Sequence, residues 1–95
     1  MTDSELEDLL ARARTNPQDA DDAVARLAEA TLEDPDDASL RAFLALALHS
    51  AGHPTLALAT MLEAALAAAR PGAFSRFERV LTDYQRSLVD SALKR

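Results

Sequence analysis

Residues 38–71 read ASLRAFLALALHSAGHPTLALATMLEAALAAARP. The stretch is rich in alanine and leucine, and no part of it alternates polar and apolar residues as a half-buried strand does. Gly52 and Pro54 divide it, because glycine favours the left-handed conformation that ends a helix and proline fits the first position of the next. The stretch therefore predicts two helices joined by a short turn.

The preceding residues partly repeat this pattern at an offset of 34 positions, with Leu27 falling on Met61. Nine residues recur unchanged: Leu6, Leu10, Ala11, Ala13, Ala23, Ala25, Glu29, Ala30 and Leu32 fall on Leu40, Leu44, Ala45, Ala47, Ala57, Ala59, Glu63, Ala64 and Leu66. A helical period of this length is typical of stacked helix–turn–helix units, which usually bind other proteins.

Helix start and stop signals along the whole chain predict an all-α fold of five helices. We expect the first helix at about 3–15, and the second from a cap at Asp19 to just before Asp34. The third should run from a cap at Asp36 or Asp37 to Gly52. The fourth should run from Pro54 to Arg70, and the fifth over about 73–93. The core is predicted to include Leu44, Leu48, Met61 and Leu62.

Composition limits the class of protein. The chain has 95 residues, no cysteine and a net charge of −6, which predicts one small domain without disulfides. Residues 1–38 carry twelve Asp/Glu against three Arg, whereas residues 39–95 carry four against seven Lys/Arg. The acidic first half disfavours nucleic acid and anionic membranes and favours a basic partner. With no apolar run near the roughly 20 residues of a membrane span and an acidic start, we expect a cytoplasmic protein.

Residues 38–71 resemble a tetratricopeptide repeat. The matching positions are Leu44 and Ala45, Leu48, Gly52, Ala57, Met61, Ala64 and Pro71. Residues 3–37 resemble a divergent first repeat, through Leu10, Ala11, Ala23, Leu27, Ala30 and Pro35, that departs from the pattern at Arg14, Pro17 and Gln18. Residues 72–95 resemble the capping helix that ends such a stack, and residues 38–90 also resemble the C-terminal half of a bacterial tetratricopeptide family called group 5.

The resemblance implies one domain, a right-handed superhelical stack of antiparallel helix pairs, whose concave groove binds a peptide or helix of a partner protein. By position, the groove residues would be Glu5, Asp8, Arg12, Ser39, Ala42, Leu46, His49 and Ser50. Such a groove suits a basic or amphipathic segment. The family's clamp for a C-terminal carboxylate is not expected, because only Arg12 is of the required type.

The sequence contains no motif typical of a catalytic, metal-binding or cofactor-binding site. His49 and His53 are four apart but lie on either side of Gly52, and no third ligand is evident. The Asp19 and Asp34 clusters fit helix caps better than calcium loops. We therefore predict no enzyme activity, no metal and no cofactor.

The last helix carries an apolar seam with alternating spacings of three and four: Phe74, Phe77, Leu81, Tyr84 and Leu88. One interpretation is a cap that packs on the fourth helix through Leu58, Leu62 and Leu66. The other is an exposed face that forms a homodimer or partner interface. The alternative to a groove-binding module is therefore a self-assembling structural subunit that dimerises through this helix.

Overall fold

The computed structural model describes residues 2–93. Within that range the chain forms five α-helices and one 3₁₀ turn and no β-strand, so the predicted all-α fold is confirmed. The helices are α1 (Asp3–Thr15), α2 (Pro17–Glu33), α3 (Ala38–Ser50), α4 (Pro54–Ala68) and α5 (Glu78–Leu93). The last two residues of the predicted capping segment, Lys94 and Arg95, lie outside the described range.

The boundary between α1 and α2 differs from the prediction. The N-cap of α2 is Asn16, whose side-chain oxygen accepts a hydrogen bond from the backbone N–H of Gln18 at 3.0 Å. Pro17 therefore starts the helix, in the position where a missing N–H is harmless. The predicted cap at Asp19 is wrong, because that residue already lies in the first turn.

The boundaries around the turn between α3 and α4 agree with the prediction. Asp37 caps α3 by accepting from the backbone N–H of Ser39 at 2.9 Å. Gly52 has a φ of +86°, the left-handed conformation expected after a helix end, and Pro54 starts α4.

The chain between α4 and α5 is longer than predicted. A 3₁₀ turn over Ser75–Phe77 precedes α5, which starts at Glu78 rather than near Ala73. Gly72 and Ser75 have φ values of +80° and +50°. A right-handed helix cannot pass through residues in the left-handed region, and this delays the start of α5.

The first four helices form two antiparallel hairpins, α1–α2 and α3–α4, that stack through contacts of α3 with both α1 and α2. The α5 helix packs on α4, and within residues 2–93 it has no contact with α3. The third helix of the stack thus touches the first, but the fifth does not touch the third.

The core is built largely from alanine. Among residues 2–93, eight of the thirteen buried hydrophobic residues are alanine, and Leu27 is the largest side chain that is fully enclosed. Small side chains allow close helix approach but each buries little apolar surface. Ala45, Ala57 and Ala64, the small sites of the repeat pattern, are all buried.

Two of the three predicted core leucines are only half-buried, and the prediction for Met61 is wrong. Leu48 is 5% exposed, Leu44 and Leu62 are half-buried, and Met61 is 37% exposed. The equivalent of Met61 one repeat earlier, Leu27, is 0% exposed because it lies in the core cluster that α3 closes. No helix of the described chain covers Met61 in the same way.

Candidate protein-binding groove

Two helices, α1 and α3, lie side by side and run in the same direction. Asp3 near the start of α1 lines the same cavity as Ser39 near the start of α3, and Arg14 near the end of α1 lines the same cavity as Ser50 at the end of α3. We call these two cavities together the α1–α3 groove; they share no lining residue, and the end of α2 also lines the first.

The cavity at the start of the two helices is acidic. It has a volume of about 520 Å³ and is lined by Asp3, Leu6, Glu7, Ala30, Glu33, Asp34, Asp37, Ser39, Leu40 and Phe43. Five of these residues carry carboxylates and none carries a positive charge. Its floor is apolar, because Leu6 and Leu40 belong to the core and Phe43 packs against it.

Local structure explains why the carboxylates converge. Asp3 and Glu7 lie in the first two turns of α1, Glu33 and Asp34 end α2, and Asp37 caps α3. Because α2 runs antiparallel to α1 and α3, its last residues arrive where the other two helices begin. Within residues 2–93, none of the five carboxylates is in an ion pair.

The cavity at the other end is mainly apolar and is lined by Leu10, Arg14, Leu46, His49 and Ser50. It has a volume of about 660 Å³. Leu46 is 48% exposed, which leaves apolar surface available for contact. The first cavity of the groove thus carries the five carboxylates and Phe43, and the second carries Leu10, Arg14 and His49.

The structure places the sequence-predicted groove residues in two different regions. Leu46, His49 and Ser50 line the apolar cavity, and Ser39 lines the acidic one. Ala42 is half-buried on α3. Glu5, Asp8 and Arg12 surround a separate small hollow with Leu9 and Arg26, so α1 does not bring them together with Leu46.

The α1 residues that do line the groove were missed by carrying positions over from the repeat pattern. They are Asp3, Glu7, Leu10 and Arg14, at a spacing of i, i+4, i+7 and i+11, which places them on one helix face. Glu33, Asp34, Asp37 and Phe43 were also missed as groove residues. The helical spacing and the acidic residues between α2 and α3 are visible in the sequence, but the way α1 faces α3 is not.

The predicted seam on the last helix is wrong for Phe74 and Phe77, which precede the start of α5 at Glu78. Packing on α4 covers part of the seam and leaves the rest open. Phe74, Leu81 and Leu88 are half-buried, whereas Phe77 and Tyr84 are 56% and 65% exposed. Of the α4 residues predicted to receive a cap, Leu62 and Leu66 are half-buried and Leu58 is 58% exposed. The helix thus packs on α4 and still leaves aromatic surface uncovered.

Within residues 2–93, no three His, Asp or Glu side chains are arranged to hold a metal ion. No helix of the same range combines the length and apolarity that crossing a membrane requires. Comparison of the chain with protein-family models, with curated proteins and with solved structures found no match.

Proposed function

We propose that the chain is a non-catalytic, tetratricopeptide-like interaction module that binds a cationic amphipathic segment of a partner protein in the α1–α3 groove. The observation that carries this proposal is the convergence of five carboxylates above an apolar floor. As part of the same proposal, the module acts as an adaptor in the cytoplasm of a bacterium.

The charge of the acidic cavity supports a basic ligand. Asp3, Glu7, Glu33, Asp34 and Asp37 converge without an ion-pair partner in the described chain. Their mutual repulsion falls when Lys or Arg side chains enter the cavity. Attraction of this kind accelerates association and selects against acidic partners, and it weakens as salt screens the charges.

The apolar part of the groove supports an amphipathic rather than a merely basic ligand. Leu46 is about half exposed, and Leu10 and Phe43 are half-buried beside it. Apolar side chains of a ligand would remove this surface from water, at about 25 cal/mol per Å². Arg14 and His49 at the far end favour an acidic group there, so the groove has a preferred ligand direction.

A direct test uses two labelled peptides of equal length, one of alternating lysine and leucine and one of alternating glutamate and leucine. Fluorescence anisotropy should show binding of the lysine peptide only, with an affinity that falls as salt is raised. Equal binding of the two peptides would contradict the proposal.

Matched variants locate the binding surface. Glu7→Gln with Glu33→Gln removes two groove charges, and we expect the affinity to fall by about tenfold. Glu5→Gln with Asp8→Asn removes two charges from the other side of α1 and should leave the affinity nearly unchanged. An equal loss in both double variants would indicate nonspecific attraction to the net charge.

A second pair of variants tests the apolar contact. Leu46→Asp should abolish binding, whereas Leu58→Asp, on an exposed site of α4, should not. Both sites are exposed, so both variants should keep the circular dichroism spectrum and melting temperature of the wild type. Full binding by a folded Leu46→Asp variant would exclude this part of the groove.

A further inference from the structure

The α5 helix has two apolar faces, of which α4 covers only one. Gln85, which contacts Glu63 of α4, lies on the covered face with half-buried Leu81 and Leu88. The second face carries Val80 and Tyr84, which are 48% and 65% exposed, and Phe77 of the preceding 3₁₀ turn, which is 56% exposed, extends it. No residue of α5 is buried.

The exposed face has large side chains in its first half and small ones in its second. Phe77 and Val80 precede Tyr84, and Ser87 and Ser91 follow it at matching helical spacings, with Ser91 at the edge of the face, where it borders a hollow with the start of α4. Both serines are exposed. If two such faces meet antiparallel about Tyr84, large residues oppose small ones, which allows close packing. A parallel pair would crowd the large residues at one end and leave a gap at the other.

Four charged residues border this face with alternating sign: Arg79, Asp83, Arg86 and Asp90. Their spacing of i, i+4, i+7 and i+11 makes one continuous stripe, and all four are exposed. Within residues 2–93 they form no ion pairs with each other, although Arg79–Asp83 and Arg86–Asp90 are four apart. In both pairs the base precedes the acid, which is the weaker order for pairing within a helix.

We infer that α5 pairs antiparallel with α5 of a second copy of this chain, around a two-fold axis next to Tyr84. Reversal of the plus–minus–plus–minus stripe gives its complement, so Arg79 faces Asp90 of the second copy and Asp83 faces Arg86. A two-fold axis doubles each of these pairs, as in most homodimers. In a parallel two-fold pair the two stripes would lie on opposite sides of the interface and would not face each other.

The dimer interface and the α1–α3 groove are different surfaces, so each can be tested without the other. The α5 helix has 16 residues and is about 24 Å long. An interface limited to one helix from each copy is smaller than the standard stable interface of about 1,600 Å². We therefore expect a reversible monomer–dimer equilibrium rather than a permanent dimer.

Sedimentation equilibrium of the full chain tests the pairing over concentrations of roughly 10 µM to 1 mM, a range suited to a small interface. The apparent mass should rise towards twice that of the monomer. Arg79→Asp with Arg86→Asp makes the stripe wholly negative, and Asp83→Arg with Asp90→Arg makes it wholly positive. Each double variant alone should stay monomeric, and an equimolar mixture should dimerise.

A monomeric wild type at the highest concentration would overturn the inference, as would dimerisation of the charge variants to the wild-type extent. Two variants without charge changes provide a second test in case the charge variants do not fold. Tyr84→Ser should abolish dimerisation, whereas Leu58→Ser, at an equally exposed apolar site on α4, should not. The same loss in both would mean that α5 is not the interface.

Cross-linking then decides the direction of pairing, because the chain has no natural cysteine. In an antiparallel pair centred at Tyr84 the two Ser91 positions lie far apart, beyond the roughly 7 Å between Cα atoms that a disulfide can bridge. A Ser91→Cys variant should therefore sediment as a dimer but run as a single chain on a denaturing gel without reductant. Rapid formation of a disulfide dimer would show parallel pairing and overturn the inference.

Discussion

Arg41 of α3 and Glu63 of α4 form an ion pair between two helices, with 3.1 Å from Nε to Oε1. Glu63 also accepts a longer hydrogen bond from Gln85 of α5 at 3.4 Å, so one carboxylate connects three helices. One repeat earlier the corresponding residues, Glu7 and Glu29, are both acidic and cannot pair. Glu7 instead contributes its charge to the groove.

A double-mutant cycle with Arg41→Met and Glu63→Gln should measure this connection. The Arg41 side chain is 17% exposed and that of Glu63 is 52% exposed. For a pair that is partly open to water, we expect a coupling of about 0.5–1 kcal/mol in urea unfolding. The Asp8–Arg12 pair lies within α1 and both of its side chains are exposed, so its coupling energy should be about 0.3 kcal/mol. A larger coupling at Asp8–Arg12 would show that the interhelical geometry adds nothing.

Replacement of Leu27 should be the most damaging leucine truncation in the first hairpin. Leu27 is completely enclosed, so Leu27→Ala leaves a cavity and should lower the free energy of unfolding by about 2–5 kcal/mol. Leu32→Ala, five residues later on the same helix, removes a side chain that is 83% exposed and should change it by less than about 0.5 kcal/mol. Chemical denaturation measures both, and similar losses would contradict the burial described.

The cap of α2 can be assigned by comparing two substitutions. Asn16→Ala removes the acceptor for the Gln18 N–H and should cost about 1 kcal/mol. Asp19→Asn keeps the shape of a residue in the first turn and removes only its favourable interaction with the helix dipole, about 0.5 kcal/mol. The reverse order in thermal unfolding would restore Asp19 as the cap.

Gly52 should be sensitive to conformation rather than to side-chain size. An added Cβ would meet no atom within 4 Å, but the φ of +86° disfavours a side chain. Gly52→Ala should therefore cost about 1 kcal/mol of unfolding free energy. Gly52→Asn should cost less, because asparagine tolerates the left-handed region, although its side chain is larger. If the asparagine variant were the less stable of the two, a steric cause would be indicated.

Local signals in the sequence predicted the helices well where a single residue governs a boundary. Asp37, Gly52 and Pro54 each act through the backbone next to them, and the structure has the expected boundary at each. The start of α2 was misplaced because Asn16 and Asp19 are both good capping residues. The start of α5 was misplaced because nothing in the sequence marks the left-handed conformation of Ser75.

Burial and groove membership depend on neighbours that the sequence does not locate. Met61 and Leu27 occupy the same repeat position, yet only Leu27 is enclosed. The reason is that α3 packs on both helices of the first hairpin, whereas α5 packs on only one helix of the second, α4. Likewise, which side chains of α1 line the groove depends on the rotation of this helix about its own axis. The structure places Glu7 and Leu10 in the groove, where the repeat position predicts Glu5 and Asp8. Repeat position alone cannot fix that rotation.

Because α5 does not contact α3 in the described chain, the α1–α3 groove is no wider than two helices, and this limits the size of the ligand segment that it can hold. The groove is bounded by two parallel helices of 13 residues each, about 20 Å long, and none of the helices within residues 2–93 extends it sideways. An extended peptide of about six residues spans that distance. Under the proposed function, a groove of this length fits a short linear motif, and selectivity beyond that motif would come from a second copy or from a second site on the same partner.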